Sequence, residues 1–370
     1  MACVGTVTAM STSQDTENRD ATEVIGLAGD DEIAPTTPTK PKRRKRKIIL
    51  IAVLIPLILL GIGGLAAGFY LHNVSSNVKR VDAFASVPEA SRPQKAAVAA
   101  AATNFLLLGS DSRDPSNKDG GRSDTIIVMH LNKEKNAAQL ISIPRDTWVH
   151  IPKSANGRHG NVNAKINAAF AWGGVPLVVQ TVESYTGVRI DHVALVDFSG
   201  FKDIVDALGG VTIDVEKSFT STNSLNANGL RHFDQGVQVM DGAAALDYAR
   251  ERYVFKDGDF ARIRHQQQVI TAILDKAASG GMLSSPTQLN AFLRATTNTV
   301  SVDKTLDIIG LAAQLRNLRS GNLHFYTSPS KGTGMIGDQS VVLPDPTKTK
   351  ALFEAVRKDQ TAAINSLTAG

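Results

Sequence analysis

Three short apolar runs in the stretch 104–146 constrain the fold of this chain more than any other feature. They cover residues 105–108, 125–131 and 139–143. Each has the length of a buried strand and is bounded by turn residues. Because only a short polar connection at 132–136 separates the second run from the third, these two are predicted to form an antiparallel hairpin.

Charged residues flank these predicted strands at one edge of the sheet. In an antiparallel hairpin the start of one strand lies beside the end of the other, so Asp124 and Arg145 should be neighbours. The loop before the second strand returns to the same edge and carries Asp111, Arg113 and Arg122. Two carboxylates beside several guanidinium groups indicate a site for Mg²⁺ and phosphate. The alternative is that the two aspartates only cap loops.

A second charged cluster follows about a hundred residues later, with the sequences DYARER at 247–252 and DFARIRHQQ at 259–267. Arg250 and Arg252 are two positions apart and would point in nearly opposite directions on a helix. If both bind one anion, the chain must be extended there and the helix must end by about Ala249. A charged, solvated helix end is the alternative interpretation.

The segment after this cluster reads as the start of another helix, with Asp259 as its N-cap. A helix N-terminus attracts anions, and arginine is suited to bidentate phosphate binding. Both features favour an anion site over a solvated helix end.

An apolar run at residues 48–71 follows directly on the basic sequence KPKRRKRK. A run of this length without charge spans a bilayer, and the basic flank places the N-terminus in the cytoplasm. We therefore expect a disordered cytoplasmic tail at 1–47, a transmembrane helix at 48–71, a stalk at 72–103 and an extracytoplasmic domain at 104–370. Cleavage near residues 66–68 is the alternative.

Composition excludes two other classes of protein. The formal net charge of +5 over 370 residues is too small for a nucleic-acid-binding surface. The single cysteine, Cys3, excludes a scaffold held together by disulfide bonds.

The remaining chain alternates predicted strands and helices. Strands are expected at 192–197, 211–215 and 323–328, and helices at 165–172, 176–186, 198–208, 241–249, 261–279, 285–297, 306–318 and 350–367, with loops at 217–236 and 330–349. Glycines 173 and 174 should separate the first two helices. The alternation predicts an α/β fold, an α/β/α sandwich with a central mixed β-sheet, preceded by one transmembrane helix.

Taken in order, these segments resemble the LytR–CpsA–Psr family of membrane-anchored cell-wall glycopolymer transferases. The matching stretches span about residues 104–278 and read FLLLGSDSR, GRSDTIIV, ISIPRDTWVHIP, KINAAFAWGG, VDFSGFKDIVDALGGV, DGAAALDYARER and DFARIRHQQ. The family usually has Gly at the position of Ala261 and Arg at that of His265, which leaves the role of His265 open. The accessory C-terminal domain of some members is not evident.

The resemblance implies a phosphotransferase in the cell membrane with its catalytic domain outside. It would move a glycopolymer from a polyprenyl-pyrophosphate carrier to a peptidoglycan hydroxyl, with Mg²⁺ as cofactor. Asp111 and Asp124 would hold the metal. The pyrophosphate would be bound by Arg122, Arg145, Arg250, Arg252, Arg262 and Gln266. Arg145 is also a catalytic candidate, and Asp259 is either a base or a supporting carboxylate.

Two other functions stay open at this stage. A lipid-pyrophosphate hydrolase would use the same metal site with water as the acceptor. A non-catalytic regulator that binds wall polymer would not need paired acids beside paired arginines. The residues of a lipid pocket and the identity of the polymer (teichoic acid, capsule or arabinogalactan) are also open. Trp148 and Trp172 are interpreted as packing residues rather than sugar platforms.

Overall fold

Strands and helices alternate along the chain. The structure is a computed structural model and describes residues 78–110, 123–222, 224, 229–278, 285–315, 318 and 320–368. The strands are β1 (Lys79–Val81), β2 (Thr103–Ser110), β3 (Ser123–Leu131), β4 (Ala138–Ser142), β5 (Trp148–Ile151), β6 (Val162–Lys165), β7 (His192–Asp197), β8 (Val211–Val215), β9 (Phe219–Thr220), β10 (His232–Phe233), β11 (Gly236–Met240), β12 (Val300–Asp303), β13 (Leu323–Thr327), β14 (Ser330–Ile336) and β15 (Gln339–Pro344). The helices are α1 (Ala168–Thr186), α2 (Phe198–Ala207), α3 (Gly242–Arg250), α4 (Asp259–Ala278), α5 (Pro286–Thr299), α6 (Ile308–Leu315), α7 (Pro346–Arg357) and α8 (Thr361–Thr368).

A seven-stranded sheet has the order β1-β12-β7-β2-β3-β4-β13. It is mixed, since β1–β12, β7–β2 and β4–β13 are parallel pairs and the other neighbours are antiparallel. The predicted β3–β4 hairpin is confirmed, with Leu131 opposite Ala138 and Ile127 opposite Ser142. Because the hairpin turn is at the far end, the start of β3 and the end of β4 share one edge.

Both faces of this sheet are covered by hydrophobic clusters that include helical residues. Successive side chains of a strand point to opposite faces. On β3, Ile126 and Val128 belong to a cluster with Val178 of α1 and Phe353 of α7. Ile127, between them, belongs to a second cluster, which residues of α4 and α6 adjoin. The predicted α/β fold with a central mixed sheet is therefore confirmed.

Helix α1 contains the predicted break. Gly174 has φ 64° and ψ −159°, a conformation that interrupts the helix and is accessible to glycine. Pro176 then lies in the first turn of the second segment, where its missing N–H costs no hydrogen bond. The kink turns the residues before Gly174 towards the edge of the sheet that carries Arg145, and Asn167 donates its backbone N–H to the Arg145 carbonyl (3.1 Å).

Several predicted loops contain strands instead. The segment predicted as a loop at 330–349 forms the β14–β15 hairpin, with Met335 opposite Ser340. Its glycines favoured a loop from sequence, whereas they supply the turn at Gly337, which has φ 59°. The loop predicted at 217–236 contains β9 and β10. The stretches 148–151 and 162–165, for which no strand is predicted from sequence, form the antiparallel pair β5–β6.

The predicted closing helix at 350–367 is two helices. Helix α7 ends at Arg357 and α8 begins at Thr361. Between them Asp359 has φ 55°, a left-handed conformation that a continuous helix excludes. Its carboxylate accepts a hydrogen bond from the buried His130 ring across 2.9 Å, if the ring carries a proton there.

The N-terminal predictions fall largely outside the described residues. The tail at 1–47 and the transmembrane helix at 48–71 lie there entirely. Within the described residues no helix is long and apolar enough to cross a bilayer. The predicted stalk at 72–103 contributes β1, which pairs with β12 at the edge of the central sheet.

Candidate active site

Asp124 and Arg145 lie side by side at the edge where β3 begins and β4 ends. A guanidinium N–H of Arg145 donates a short hydrogen bond to Asp124 Oδ1. This is the contact that the hairpin topology predicts. Burial disfavours the charged form of Arg145, but the neighbouring Asp124 carboxylate favours it, and the pKa of Arg145 is raised.

Two more arginines reach the same edge from the α3–α4 region. Helix α3 ends at Arg250, one residue later than predicted, and Glu251 is extended (φ −68°, ψ 136°). Arg252 therefore lies beyond the helix, as the spacing of the two arginines requires for a shared anion. Arg262 lies in the first turns of α4 and is buried.

The Asp259 carboxylate lies among these arginines. Its Oδ1 is 2.5 Å from Arg262 Nη2, 4.0 Å from Arg145 Nε and 4.0 Å from Arg252 Nη1. The prediction that Asp259 caps helix α4 is wrong. The helix already includes Asp259, and within the described residues its carboxylate oxygens have no hydrogen-bond partner. The Asp259 side chain is ion-paired with the arginines instead of capping the helix.

The pKa values in this cluster reflect burial. Burial raises the pKa of Asp259 above that of an ordinary aspartate, against the opposing effect of Arg262. Burial likewise lowers the pKa of Arg262. The Nε atoms of Arg145 and Arg262 are buried without a hydrogen-bond partner in the described part of the chain. Buried polar groups without partners are uncommon, and here they cluster at one place that suits a polar ligand.

An apolar pocket of about 390 Å³ opens beside this cluster. Asp124, Arg145, Arg250, Arg252, Arg262 and Gln266 all line it. Its remaining lining is mainly apolar and includes Leu107, Ile127, Val196, Phe201, Val269 and Ile273. The Arg250 guanidinium lies 4.6 Å from the centre of the Phe198 ring. The pocket therefore combines a cationic rim with an apolar interior.

The sequence did not separate the pocket from the core. Three apolar segments, 175–182, 193–196 and 204–208, look alike in the sequence, and the second and third contribute Val196 and Ile204 to the pocket. The segment 175–182 is different, because Val178 and Val182 are fully buried in the core cluster. Asp111, Arg113 and Arg122 lie outside the described residues.

A second cleft of about 1160 Å³, called the polar cleft for the charged and amide side chains in its lining, borders the same arginine cluster. It shares Arg145, Arg252 and Tyr253 with the apolar pocket. Asp146 and Asp259 line the cleft, as do Trp148, Asn163, Lys165, Trp172, Gln339 and Ser340. Trp172 also packs against the core cluster, so the predicted packing role holds for part of its surface.

Sequence reasoning missed Asp146 as a member of the cluster. Asp146 Oδ1 is 3.3 Å from Lys165 Nζ, and its Oδ2 is 3.7 Å from Arg145 Nε. Its position directly after Arg145, in a block that resembles the family, was the available signal. Together Asp124, Asp146 and Asp259 surround one guanidinium group.

His265 lies in the protein interior. It is buried in an aromatic cluster, with its ring centre 4.2 Å from that of Tyr248 and 4.8 Å from that of Phe255. Burial lowers its pKa to about 4. A neutral ring fits this position, and His265 lines neither the apolar pocket nor the cleft beside it.

The described residues contain no group of three or more His, Cys, Asp or Glu side chains that could hold a metal ion. They include one of the two predicted metal ligands, Asp124. Its carboxylate is an oxygen ligand of the type that Mg²⁺ prefers.

Comparison with known proteins supports these observations. The profile of the LytR_cpsA_psr family matches residues 69–358. The polyisoprenyl-teichoic acid–peptidoglycan teichoic acid transferase TagU of Bacillus mycoides (strain KBAB4) is 37% identical over 238 residues, which cover 61% of this chain and 71% of the relative. TagU of Bacillus subtilis (strain 168) is 33% identical over 288 residues, covering 77% of this chain and 86% of the relative.

The fold is also found in a solved structure. The crystal structure of TagV from B. subtilis is similar with a TM-score of 0.57 at 30% sequence identity, covering 71% of this chain and 97% of that protein. The profile match, the two relatives and this structure agree with the resemblance of the seven sequence blocks. The chain therefore belongs to the LytR_cpsA_psr family.

Proposed function

We propose that this chain is a phosphotransferase that moves a glycopolymer from a polyprenyl-pyrophosphate carrier to a hydroxyl of peptidoglycan. The observation that carries this proposal is an apolar pocket with four arginines on its rim. An amphiphile with a hydrocarbon tail and a doubly charged head matches that combination. The two TagU relatives carry names that describe a transfer of this kind from a polyisoprenyl carrier to peptidoglycan.

In this proposal the first isoprene units occupy the apolar pocket and the pyrophosphate lies against the rim. Arg145, Arg250, Arg252 and Arg262 neutralise the phosphates, with Gln266 as a further hydrogen-bonding group. Arg122 would join them from outside the described residues. Arginine forms two parallel hydrogen bonds to phosphate, which fixes the direction of the phosphoryl group as well as its charge.

The transfer replaces the phosphoanhydride bond of the pyrophosphate with a phosphoester bond. The acceptor hydroxyl oxygen attacks the phosphorus that carries the sugar, and a new P–O bond forms. The bond from that phosphorus to the bridging oxygen breaks, and polyprenyl phosphate leaves with the bond's electron pair. The hydroxyl proton passes to a carboxylate. Asp259 is the proposed acceptor, because its oxygens are within the cluster and have no hydrogen-bond partner in the described residues. The product is a phosphodiester between glycopolymer and peptidoglycan.

We also propose that Mg²⁺ is bound by Asp124 together with Asp111. The fit rests on Asp124, an acid on the pocket rim that is in contact with Arg145. A bound Mg²⁺ would neutralise charge on the phosphate oxygens.

The location of the protein belongs to the same proposal. A transmembrane helix at 48–71 would hold the catalytic domain outside the membrane, next to both a lipid-linked donor and the cell wall. The basic flank and the apolar run support this orientation.

The direct test uses the full-length chain in detergent with a lipid-pyrophosphate disaccharide, Mg²⁺ and peptidoglycan. The expected result is a disaccharide attached to peptidoglycan through a phosphodiester, with release of polyprenyl phosphate. Release of disaccharide phosphate to water at the same rate with and without peptidoglycan would instead assign a hydrolase. Binding of both substrates without turnover would assign a regulator.

A further inference from the structure

The polar cleft and the apolar pocket share three lining residues, which are called the shared wall below. Arg145, Arg252 and Tyr253 line both. The three carboxylates around Arg145 are divided between the two cavities. Asp124 lines the pocket, whereas Asp146 and Asp259 line the cleft. A phosphate held by the shared wall would therefore border two cavities of different chemistry.

The lining of the cleft has the composition of a surface for sugar rings. Trp148 and Trp172 provide flat apolar surface with a polar N–H at one end. Exposed amide and hydroxyl groups lie with them on Asn163, Gln339 and Ser340. A pyranose ring has apolar C–H faces and a rim of hydroxyls, so both kinds of group find partners on it.

The Trp172 indole is held in place by two contacts. One part of it packs against the core cluster. The His159 ring stacks on it with ring centres 5.8 Å apart and planes inclined by 16°. A ring held in this way can bind a flat ligand face without losing much conformational entropy.

We propose that this polar cleft binds the glycan strand of the acceptor, with Trp148 and Trp172 as its principal contacts. This inference rests on the function proposed above. In-line displacement requires the attacking hydroxyl to approach opposite the leaving group. The lipid phosphate leaves on the side of the apolar pocket, so the hydroxyl comes from the cleft. Asp146 and Asp259 on that side repel phosphate but can accept the proton of a hydroxyl.

The cleft can be observed directly by fluorescence. The chain contains two tryptophans, and both line the cleft. The full-length protein in detergent is titrated with a soluble tetrasaccharide of alternating N-acetylglucosamine and N-acetylmuramic acid, without donor. The expected result is a saturable change in tryptophan emission, which is reduced in Trp148→Phe and in Trp172→Phe. No change in emission with the tetrasaccharide, together with a saturable change on adding the lipid-linked disaccharide, would overturn the proposal.

Exposed polar residues provide variants that do not disturb the core. Asn163→Ala and Gln339→Ala should each raise the KM for the acceptor about three- to tenfold through the loss of one or two hydrogen bonds, and leave the KM for the donor unchanged. Lys133→Ala is the matched control, because Lys133 lies in the turn after β3 at the far end of the sheet and is exposed.

The two proposals fail in different ways. A wild-type protein that attaches no disaccharide to peptidoglycan would contradict the proposed function. Active transfer with an unchanged acceptor KM in both the Asn163 and the Gln339 variants would overturn the assignment of the cleft and leave the proposed function standing.

Discussion

The carboxylate of Asp259 lies 2.5 Å from the guanidinium of Arg262, one helical turn further along α4, and both side chains are largely buried. Such a pair is costly to desolvate and adds little to stability unless its remaining hydrogen-bonding groups are satisfied. Here both Asp259 oxygens and the Arg262 Nε have no hydrogen-bond partner in the described residues. The pair is therefore better explained by a ligand that completes it than by a contribution to folding.

If Asp259 is the base, its replacement should change the pH profile of the reaction. Burial raises the pKa of this carboxyl, and a base must be deprotonated to act. Wild-type kcat should fall as the pH drops through that raised pKa. Asp259→Asn should lower kcat about a hundredfold or more and remove this acid limb. The profile of kcat against pH for both proteins tests this. An unchanged acid limb in the variant would assign the proton to another group, with Asp146 the first to examine.

Replacement of a metal ligand should abolish activity without unfolding the protein. Asp124→Asn removes a carboxylate at the rim of the pocket, where the side chain is part of no hydrophobic cluster. We expect loss of turnover and of its stimulation by Mg²⁺, with a thermal unfolding midpoint close to that of the wild type. Asp111→Asn should behave in the same way. Asp234→Asn, at an exposed aspartate away from the site, is the control. Parallel loss of activity and of the midpoint would indicate a structural role.

The arginines should act as one site. Replacing Arg145 or Arg252 by alanine should lower kcat/KM about tenfold or more, since each forms charge-assisted hydrogen bonds to phosphate. Lysine should restore little, because it keeps the charge and loses the planar fork. Arg145→Ala combined with Arg252→Ala should be less damaging than the product of the single effects. A strictly multiplicative double variant would show that the two side chains act independently.

Glu251 should act by positioning Arg252. Its carboxylate accepts backbone N–H groups from Thr222 (2.6 Å), Arg252 (2.8 Å) and Tyr253 (2.8 Å). Burial acts to raise the pKa of Glu251, but these donors outweigh burial and lower it. Glu251→Gln keeps the size and loses the charge, so the turn should loosen and the donor KM should rise.

A double variant separates positioning from general destabilisation. In the Glu251→Gln background, Arg252→Ala should have a much smaller effect on the donor KM than it has in the wild type. Glu134→Gln, at an exposed turn residue, is the matched control. If Arg252→Ala has the same effect in both backgrounds, Glu251 does not act through Arg252.

His265 should make stability depend on pH in a defined window. Burial lowers its pKa to about 4, whereas in the unfolded chain it is about 6.5. The unfolded chain therefore binds the proton first as the pH falls. The contribution of His265 to the free energy of unfolding is fully present above about pH 6.5. It decreases by on the order of 3 kcal/mol as the pH falls towards 4. Burial also lowers the pKa of His130, which acts in the same direction.

Thermal unfolding at pH 7 and at pH 5 measures this effect. His265→Phe removes the ionisable group from the aromatic cluster and should reduce the difference between the two midpoints, leaving the part due to His130. The Asp303 carboxyl does not contribute to the difference between pH 7 and pH 5. Burial acts to raise its pKa, but hydrogen bonds from His192 and Thr305 outweigh burial and lower the pKa to about 2. An undiminished difference in the variant would contradict a buried neutral His265.

The sequence by itself determined the local structure around the site. Apolar runs of strand length and the short turn between them were sufficient for the β3–β4 hairpin, and the hairpin placed Asp124 next to Arg145. The spacing of Arg250 and Arg252 predicted the end of α3 to within one residue on the condition that both bind one anion, since a helix would have pointed them apart. Gly173 and Gly174 marked the break in α1. These features depend on periodicity and turn chemistry, which act over a few residues.

Only the tertiary structure decided which surfaces are open. Val196 of β7 lines the pocket and Val178 of α1 is in the core, although both are valines in apolar runs, because exposure depends on how helices and strands pack against one another. The same is true of Trp148 and Trp172, which lie where the β5–β6 pair and α1 border the cleft. Arg145 and Asp259 are more than a hundred residues apart, and only the packing of α4 beside the sheet brings Arg145 to the pair that Asp259 forms with Arg262. Local sequence patterns carry no information about such long-range contacts.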